Sequence, residues 1–240
     1  MKRILLVMTV MALGMSACQW IGSRRIKGNG KLETEERSVG RAEKISLSGS
    51  FDLQLTQGPA TAVKIEADGN LLPYIETNED DGVLHIRTRR RVNFSSEHSI
   101  TVYITTPKLE QVHISGSGNV IGKNKFTGAD KLSLKISGSG DIQLDLNTPE
   151  LTATISGSGS MSLSGETRSQ TIKIAGQGDY KAEELRSEKA KVNIAGSGDI
   201  RLYADDLLDV SIAGSGSVFY KGSASIKQHI VGSGEIKKIE

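Results

Sequence analysis

The chain has 240 residues, with 30 Lys and Arg against 28 Asp and Glu, 4 His and a single Cys. One cysteine excludes an internal disulfide framework and a cysteine-based zinc site, and a net charge of +2 is far from the strongly basic balance of a nucleic-acid binder. Hydrophobic residues at 37% support a folded core, while aromatic residues at 4% predict that aliphatic side chains fill it.

Lys2 and Arg3 precede an apolar run from Ile4 to Met15, which ends in Met15-Ser16-Ala17-Cys18. The run is too short to span a bilayer as a stable helix, and small residues directly before the cysteine suit cleavage there. Residues 1–17 are therefore predicted to be a lipoprotein signal peptide. The segment resembles the lipobox of bacterial lipoproteins, in which the cysteine becomes the acylated first residue, although Met15 stands where that pattern usually carries Leu. Cys18 is the predicted lipidation site, and more than one acyl chain gives firm attachment where a single chain would not. Residues 18–27 read as a tether, with Arg24, Arg25 and Lys27 able to meet anionic headgroups. Without the signal peptide, which holds Lys2 and Arg3 and no acid, 28 bases face 28 acids.

Residues 28–112 form a region of strands without a tandem motif. Apolar and polar residues alternate in 45–55, 63–67, 83–87 and 100–105, and turns are predicted at Gln57-Gly58-Pro59, Asp68-Gly69-Asn70 and Asp80-Asp81-Gly82. Residues 70–75 are predicted to make one helical turn. Ser48-Gly49-Ser50-Phe51-Asp52 is a degenerate echo of a motif that dominates the rest of the chain.

That motif fills residues 113–240. An aliphatic residue, a small residue, Gly, Ser or Gln, and Gly recur in seven copies, starting at Ile114, Ile136, Ile155, Ile174, Ile194, Ile212 and Ile230. Successive starts differ by 22, 19, 19, 20, 18 and 18 residues, the signature of a repeat architecture. The flanks alternate with a period of two, as in Leu132, Leu134 and Ile136 before one motif and Ile142, Leu144 and Leu146 after it. Each copy then reads as one turn of a parallel β-helix, in which coils stack at about 4.8 Å and the Gly-X-Gly string makes a corner. The helix-like patch 181–191 is predicted to be a longer corner. The predicted fold is all-β, a parallel β-helix of about seven coils with an N-terminal all-β capping region, since the ends of a stack need atypical units.

The stretch QGPATAVKIEADGNLLPYIETNEDDGVLHIRT, the junction SITVYITTPKLEQVHISGSGNV and the serial SGSGD-type coils together resemble the head GIN domain family of putative auto-transporter adhesins, found among Bacteroidetes envelope lipoproteins. The resemblance covers residues 28–240. It implies a right-handed β-helix and a location in the cell envelope, and it brings no catalytic or ligand residues with it. Basic residues after Cys18, where surface lipoproteins of such bacteria tend to carry an acidic signal, favour the periplasmic side of the inner or outer membrane over the cell surface.

Asn119, Asp141, Asp179, Asp199 and Glu235 occupy one slot after the Gly pair, so stacking turns them into a polar ladder interrupted by Ser160 and Ser217. Such a ladder could hold a hard cation or supply paired carboxylates for glycoside cleavage. The simpler expectation is that these side chains accept hydrogen bonds from the corner backbone. No two histidines have metal-ligand spacing, no Gly-Lys-Ser/Thr follows the glycines, and Arg89-Arg90-Arg91 reads as a solvated loop. The sequence therefore predicts a non-enzymatic, lipid-anchored envelope protein with no cofactor, no metal and no nucleic-acid partner, presenting a rigid surface to a glycan or protein ligand. A carbohydrate-active enzyme and a purely structural periplasmic module are the alternatives.

Overall fold

The computed structural model describes residues 24–240, so the predicted signal peptide, Cys18 and the first part of the tether lie outside the described residues. In the first half, β1 (Arg24–Lys27) is followed by β2 (Leu32–Arg37), β3 (Lys44–Gly49), β4 (Phe51–Gln57) and β5 (Ala62–Asp68). A 3-10 turn at Leu72–Tyr74 sits where one helical turn is predicted, and leads to β6 (Ile75–Asp80), β7 (Val83–Thr88), β8 (Val92–Ser95) and β9 (Ile100–Thr106). The second half runs through β10 (Gln111–Gly116), β11 (Val120–Phe126), β12 (Lys131–Gly138), β13 (Asp141–Gly157), β14 (Ser160–Gly176) and β15 (Asp179–Gly196). It ends with β16 (Ile200–Tyr203), β17 (Leu207–Gly214), β18 (Ser217–Lys221), β19 (Ser225–Gly232) and β20 (Glu235–Lys238).

From β10 onward all strand pairings are parallel, and each joins a residue to its equivalent one motif later. The isoleucines that open the seven motifs lie in one register column from Ile114 to Ile230. The protein is therefore a solenoid of stacked parallel coils, and its core is the sum of such columns. Ile114, Ile136 and Ile155 are fully buried, and Ile174, Ile194 and Ile212 are at most 3% exposed. Burying a side chain of this size stabilises by about 2 kcal/mol, and this column is one of several that add up to the core.

Glycine at the corner is demanded twice. Gly116, Gly138, Gly157, Gly176, Gly196, Gly214 and Gly232 adopt φ between 126° and 138°, and a Cβ at any of them would lie 2.1–2.4 Å from the carbonyl oxygen of the equivalent glycine one coil earlier. That contact lets the next N–H donate across the coils, as Ser139 N does to Gly116 O and Ser158 N to Gly138 O, both at 2.9 Å. The opposite corner uses hydroxyls instead. Thr148, Thr167 and Ser187 stack in register and point inward; Thr148 Oγ1 donates to Ala129 O at 2.8 Å and Ser187 Oγ to Tyr203 O at 2.5 Å. Each donates to a backbone carbonyl near the bend, and the Tyr203 carbonyl accepts from Gln170 Nε2 as well, at 3.2 Å.

Unequal coil lengths are absorbed locally. The 22-residue coil departs from its neighbour's register between Ile121 and Lys125, and the 20-residue coil carries one extra residue between Lys181 and Glu184. The patch 181–191, predicted as a longer corner, lies within β15 and holds both this bulge and the corner at Ser187. A bulge costs one unpaired residue and keeps the core columns aligned on both sides.

The stack also begins earlier than the tandem motif. β3 and β4 form a coil beneath β10 and β11, pairing Leu47 with Ile114 and Gly49 with Gly116, so the degenerate echo at residues 48–52 is a corner of the solenoid. β7 and β9 form the coil beyond it, pairing Ile86 with Leu47 and Val102 with Leu53. In space the order is therefore 83–106, then 44–57, then 111–126. This end is closed by antiparallel strands, β6 on β7, and β5 on β9 with β2 outside it. At the far end nothing among the described residues covers β19 and β20. There Gln228 and Lys238 follow Val210 and Tyr220 in register, so polar side chains replace apolar ones in the last layer.

Candidate functional site

Stacked coils turn repeated residues into two broad outer faces. The first face is built from the strands that precede the Gly-X-Gly corner, and its outward residues between β12 and β19 are mainly Ser, Thr, Ala and Lys. The second face is built from the strands that follow the corner and contains the predicted polar ladder.

The structure places Asn119, Asp141, Asp179, Asp199 and Glu235 at equivalent positions on successive coils, with Ser160 and Ser217 between them. Asp52 of the β3–β4 coil extends the column, accepting a 3.0 Å hydrogen bond from Asn119 Nδ2. Asp141 Oδ1 accepts from Ser160 N at 3.0 Å, and Asp199 Oδ1 from Ser217 N at 3.1 Å. These contacts tie one coil to the next. Among the described residues no three His, Cys, Asp or Glu side chains converge as metal ligands.

The aromatic residues divide by face. Tyr180 and Tyr220 point into the core, whereas Tyr203 and Phe219 lie on the second face beneath the guanidinium groups of Arg186 and Arg201, at 5.5 and 5.1 Å. Tyr180 is fully buried, and burial pushes its phenol well above the ordinary tyrosine range. Its hydroxyl donates to Gln170 Oε1 at 2.8 Å, and Gln170 Nε2 donates in turn to Ser187 Oγ at 2.9 Å. In the Arg89-Arg90-Arg91 run, Arg89 stacks over Tyr74 at 5.3 Å and pairs with Glu76 at 3.5 Å, and Arg91 takes the turn at φ 62°.

One cluster escaped the sequence reading. Asp68, 2% exposed, accepts from Ser96 Oγ at 2.6 Å and lies 3.0 Å from His98 Nδ1. The Ser96 hydroxyl first, and His98 after it, hold the Asp68 carboxyl below the usual range. A serine, a histidine and an aspartate in contact invite comparison with a hydrolytic triad, but both Ser96 and His98 engage the carboxylate, so Ser96 has no base from this trio. The cluster instead anchors the segment that leaves the tether. A Cβ on Gly28 would lie 1.7 Å from Asp68 Oδ2, Gly28 N donates to Ser95 O at 2.9 Å, and Asn70 Nδ2 donates to Lys27 O at 2.8 Å. The sequence carries only part of the signal, a turn at Asp68-Gly69-Asn70, and nothing local links it to Gly28-Asn29-Gly30 or to Ser96 and His98.

Comparison with known proteins places this architecture. Residues 42–224 match the family described as putative auto-transporter adhesin, head GIN domain. Among solved structures, a putative adhesin from Bacteroides fragilis is 27% identical with a TM-score of 0.83, over 89% of this chain and 100% of that one. A putative adhesin from Parabacteroides distasonis is 25% identical with a TM-score of 0.74, over 90% of this chain and 100% of that one. A protein from the same species described as a putative lipid binding protein is 28% identical with a TM-score of 0.72, over the same shares. Comparison with curated proteins finds no match.

Proposed function

Because the chain belongs to the family described as putative auto-transporter adhesin, head GIN domain, we propose that it is a non-enzymatic binding protein of the cell envelope. In this reading Cys18 carries the lipid, residues 18–27 lead away from the membrane on its periplasmic side, and the solenoid presents a glycan or protein ligand with a rigid surface. The observation that carries the proposal is the pair of continuous outer faces, on which coil-to-coil registers fix side chains across successive turns. A surface of this kind offers extended contact and loses little conformational entropy on binding.

Three experiments test the reading. Cys18→Ser should move the protein out of the membrane fraction and abolish labelling by a fatty-acid probe; retention of the label would remove the proposed anchor. Protease added to intact cells should leave the solenoid uncut until the outer membrane is permeabilised. The purified full chain should bind isolated envelope polysaccharide or protein fractions without changing them. Cleavage of a polysaccharide that is lost in Asp141→Asn and Asp199→Asn would overturn the non-enzymatic reading.

A further inference from the structure

The two faces differ in charge in a way that the near-neutral whole conceals. On the first face, between β12 and β19, the only outward acids are Glu150 and Asp209. Glu150 is already engaged by Lys131 at 3.0 Å and Arg168 at 3.8 Å. Lys135, Lys173 and Lys191 are exposed and form no ion pair among the described residues, although Asp209 is the register neighbour of Lys191 on the next coil. The second face over the same coils is rich in acids, including the ladder and Asp145, Glu183 and Glu184.

We propose that the first face binds an extended anionic polysaccharide along the axis of the solenoid, with Lys135, Lys173 and Lys191 meeting its acidic groups and the threonines between them its hydroxyls. The inference rests on the reading of this chain as a binding protein and names the face and the ligand chemistry. Lys135 and Lys173 occupy one column two coils apart, about 10 Å at the spacing of paired strands. Thr154 stands between them in that column, and Thr171 lies in register beside Lys191. Charges at this separation are about one screening length apart at physiological salt, so their potentials overlap in front of the face. The positive potential is already felt by His113, which is in register with Lys135 and is held below its ordinary value by burial and then by that lysine.

The character of the rest of the face selects a polysaccharide among polyanions. A single-stranded nucleic acid needs aromatic platforms, and none stands on the outward positions of this face between β12 and β19. A membrane surface rewards apolar side chains that insert, yet large apolar residues on this face are limited to the half-buried Leu207 and, at the end of the stack, Ile226 and Val231. Lysine supplies a compact mobile charge suited to scattered carboxylates or sulfates, and threonine both donates to and accepts from sugar hydroxyls.

The test uses the full chain in detergent, with dextran sulfate, polygalacturonate and uncharged dextran as probes. Both polyanions should bind with an affinity that falls as salt rises, and uncharged dextran should not bind. The variant K135Q/K173Q/K191Q should weaken polyanion binding at least about tenfold, whereas K181Q/R201Q/K237Q on the opposite face should change it less than about twofold. Matched thermal melting of both variants and the parent guards against a folding artefact. Equal losses in the two variants, or no polyanion binding by the parent chain, would overturn the proposal. So would partitioning to phosphatidylglycerol vesicles, in excess of neutral vesicles, that depends on the three lysines while the polyanions are ignored. If polyanion binding fails but envelope fractions are still bound, the assignment of face and ligand falls and the binding function stands; if both fail, both fall.

Discussion

A single methyl group at a corner distinguishes two kinds of glycine. Gly157 has φ 126° and its Cβ would lie 2.3 Å from the Gly138 carbonyl oxygen, whereas Gly30 has φ 74° and a Cβ there would meet nothing. Gly157→Ala should therefore cost more than about 2 kcal/mol, because backbone strain is joined by separation of two coils, and Gly30→Ala only about 1 kcal/mol. Chemical denaturation of the two variants checks the difference. Tyr180→Phe removes the donor to a buried Gln170 oxygen and should cost about 1–3 kcal/mol despite its near-identical shape. His113 gives a pH dependence whose sign follows from its lowered value. The unfolded chain takes up this proton first as pH falls, so the contribution is complete above the ordinary histidine range and lost on descending through it. His113→Gln should flatten that part of the stability curve, and an unchanged slope in thermal melts between neutral and mildly acid pH would remove the assignment.

Strands and corners show which local patterns carry information. Alternation identifies the repeat strands, and the glycine pairs mark one corner correctly, because both signals are local and periodic. The second corner is not visible in the same way. Thr148-Pro149, Thr167-Arg168 and Ser187-Glu188 share only an inward hydroxyl, and its role appears once the carbonyls of neighbouring coils are in place. The bulge in β15 offers a direct test. Removing Glu183 converts a 20-residue coil to the length of its neighbour and should leave a cooperative melt within a few degrees of the parent. Removing Lys173 instead shifts every following side chain of its strand to the wrong face and should prevent folding. The anchor of β1 makes a separate prediction. Because the Asp68 carboxyl is held low, its contribution is present above the ordinary carboxylate range and is lost as pH falls through its folded value. Asp68→Asn should raise hydrogen exchange at Gly28 and Gly30 while amides in β13 and β14 keep their protection.

At the scale of the molecule, the ends differ. The first is closed by antiparallel strands, and the second exposes an edge guarded by polar substitutions in its core columns. Replacing Gln228 with Val and Lys238 with Tyr would restore the residues of the coil before, leaving an apolar layer with Ile226, Ile230 and Ile236, of which Ile226 is already 40% exposed. Such a chain should sediment as larger species with rising concentration, relative to the parent, because an unguarded parallel edge is a template for another. Gln228 and Lys238 can be recognised as interior positions only from the register of β17 with β19 and β18 with β20. The order of the first coils was hidden for a similar reason. Residues 48–52 announce a corner, yet nothing local states that its neighbours in space are the coils of residues 83–106 and 111–126.

That interleaved order has a consequence for how the chain can assemble. The 44–57 coil is clasped on one side by a segment made after it and on the other by a segment made later still, so it cannot be completed by adding turns in the order of synthesis. Residues 24–106 must close first, through non-local pairings that are slow to form. From β10 onward each new turn finds its template already laid down and needs contact only with the turn before it. The chain therefore has a committed starting block and a direction of growth. Trimming whole coils from the C-terminus should shorten the rod and leave the block folded, whereas a lesion between β3 and β9 should strand every later turn without a seed.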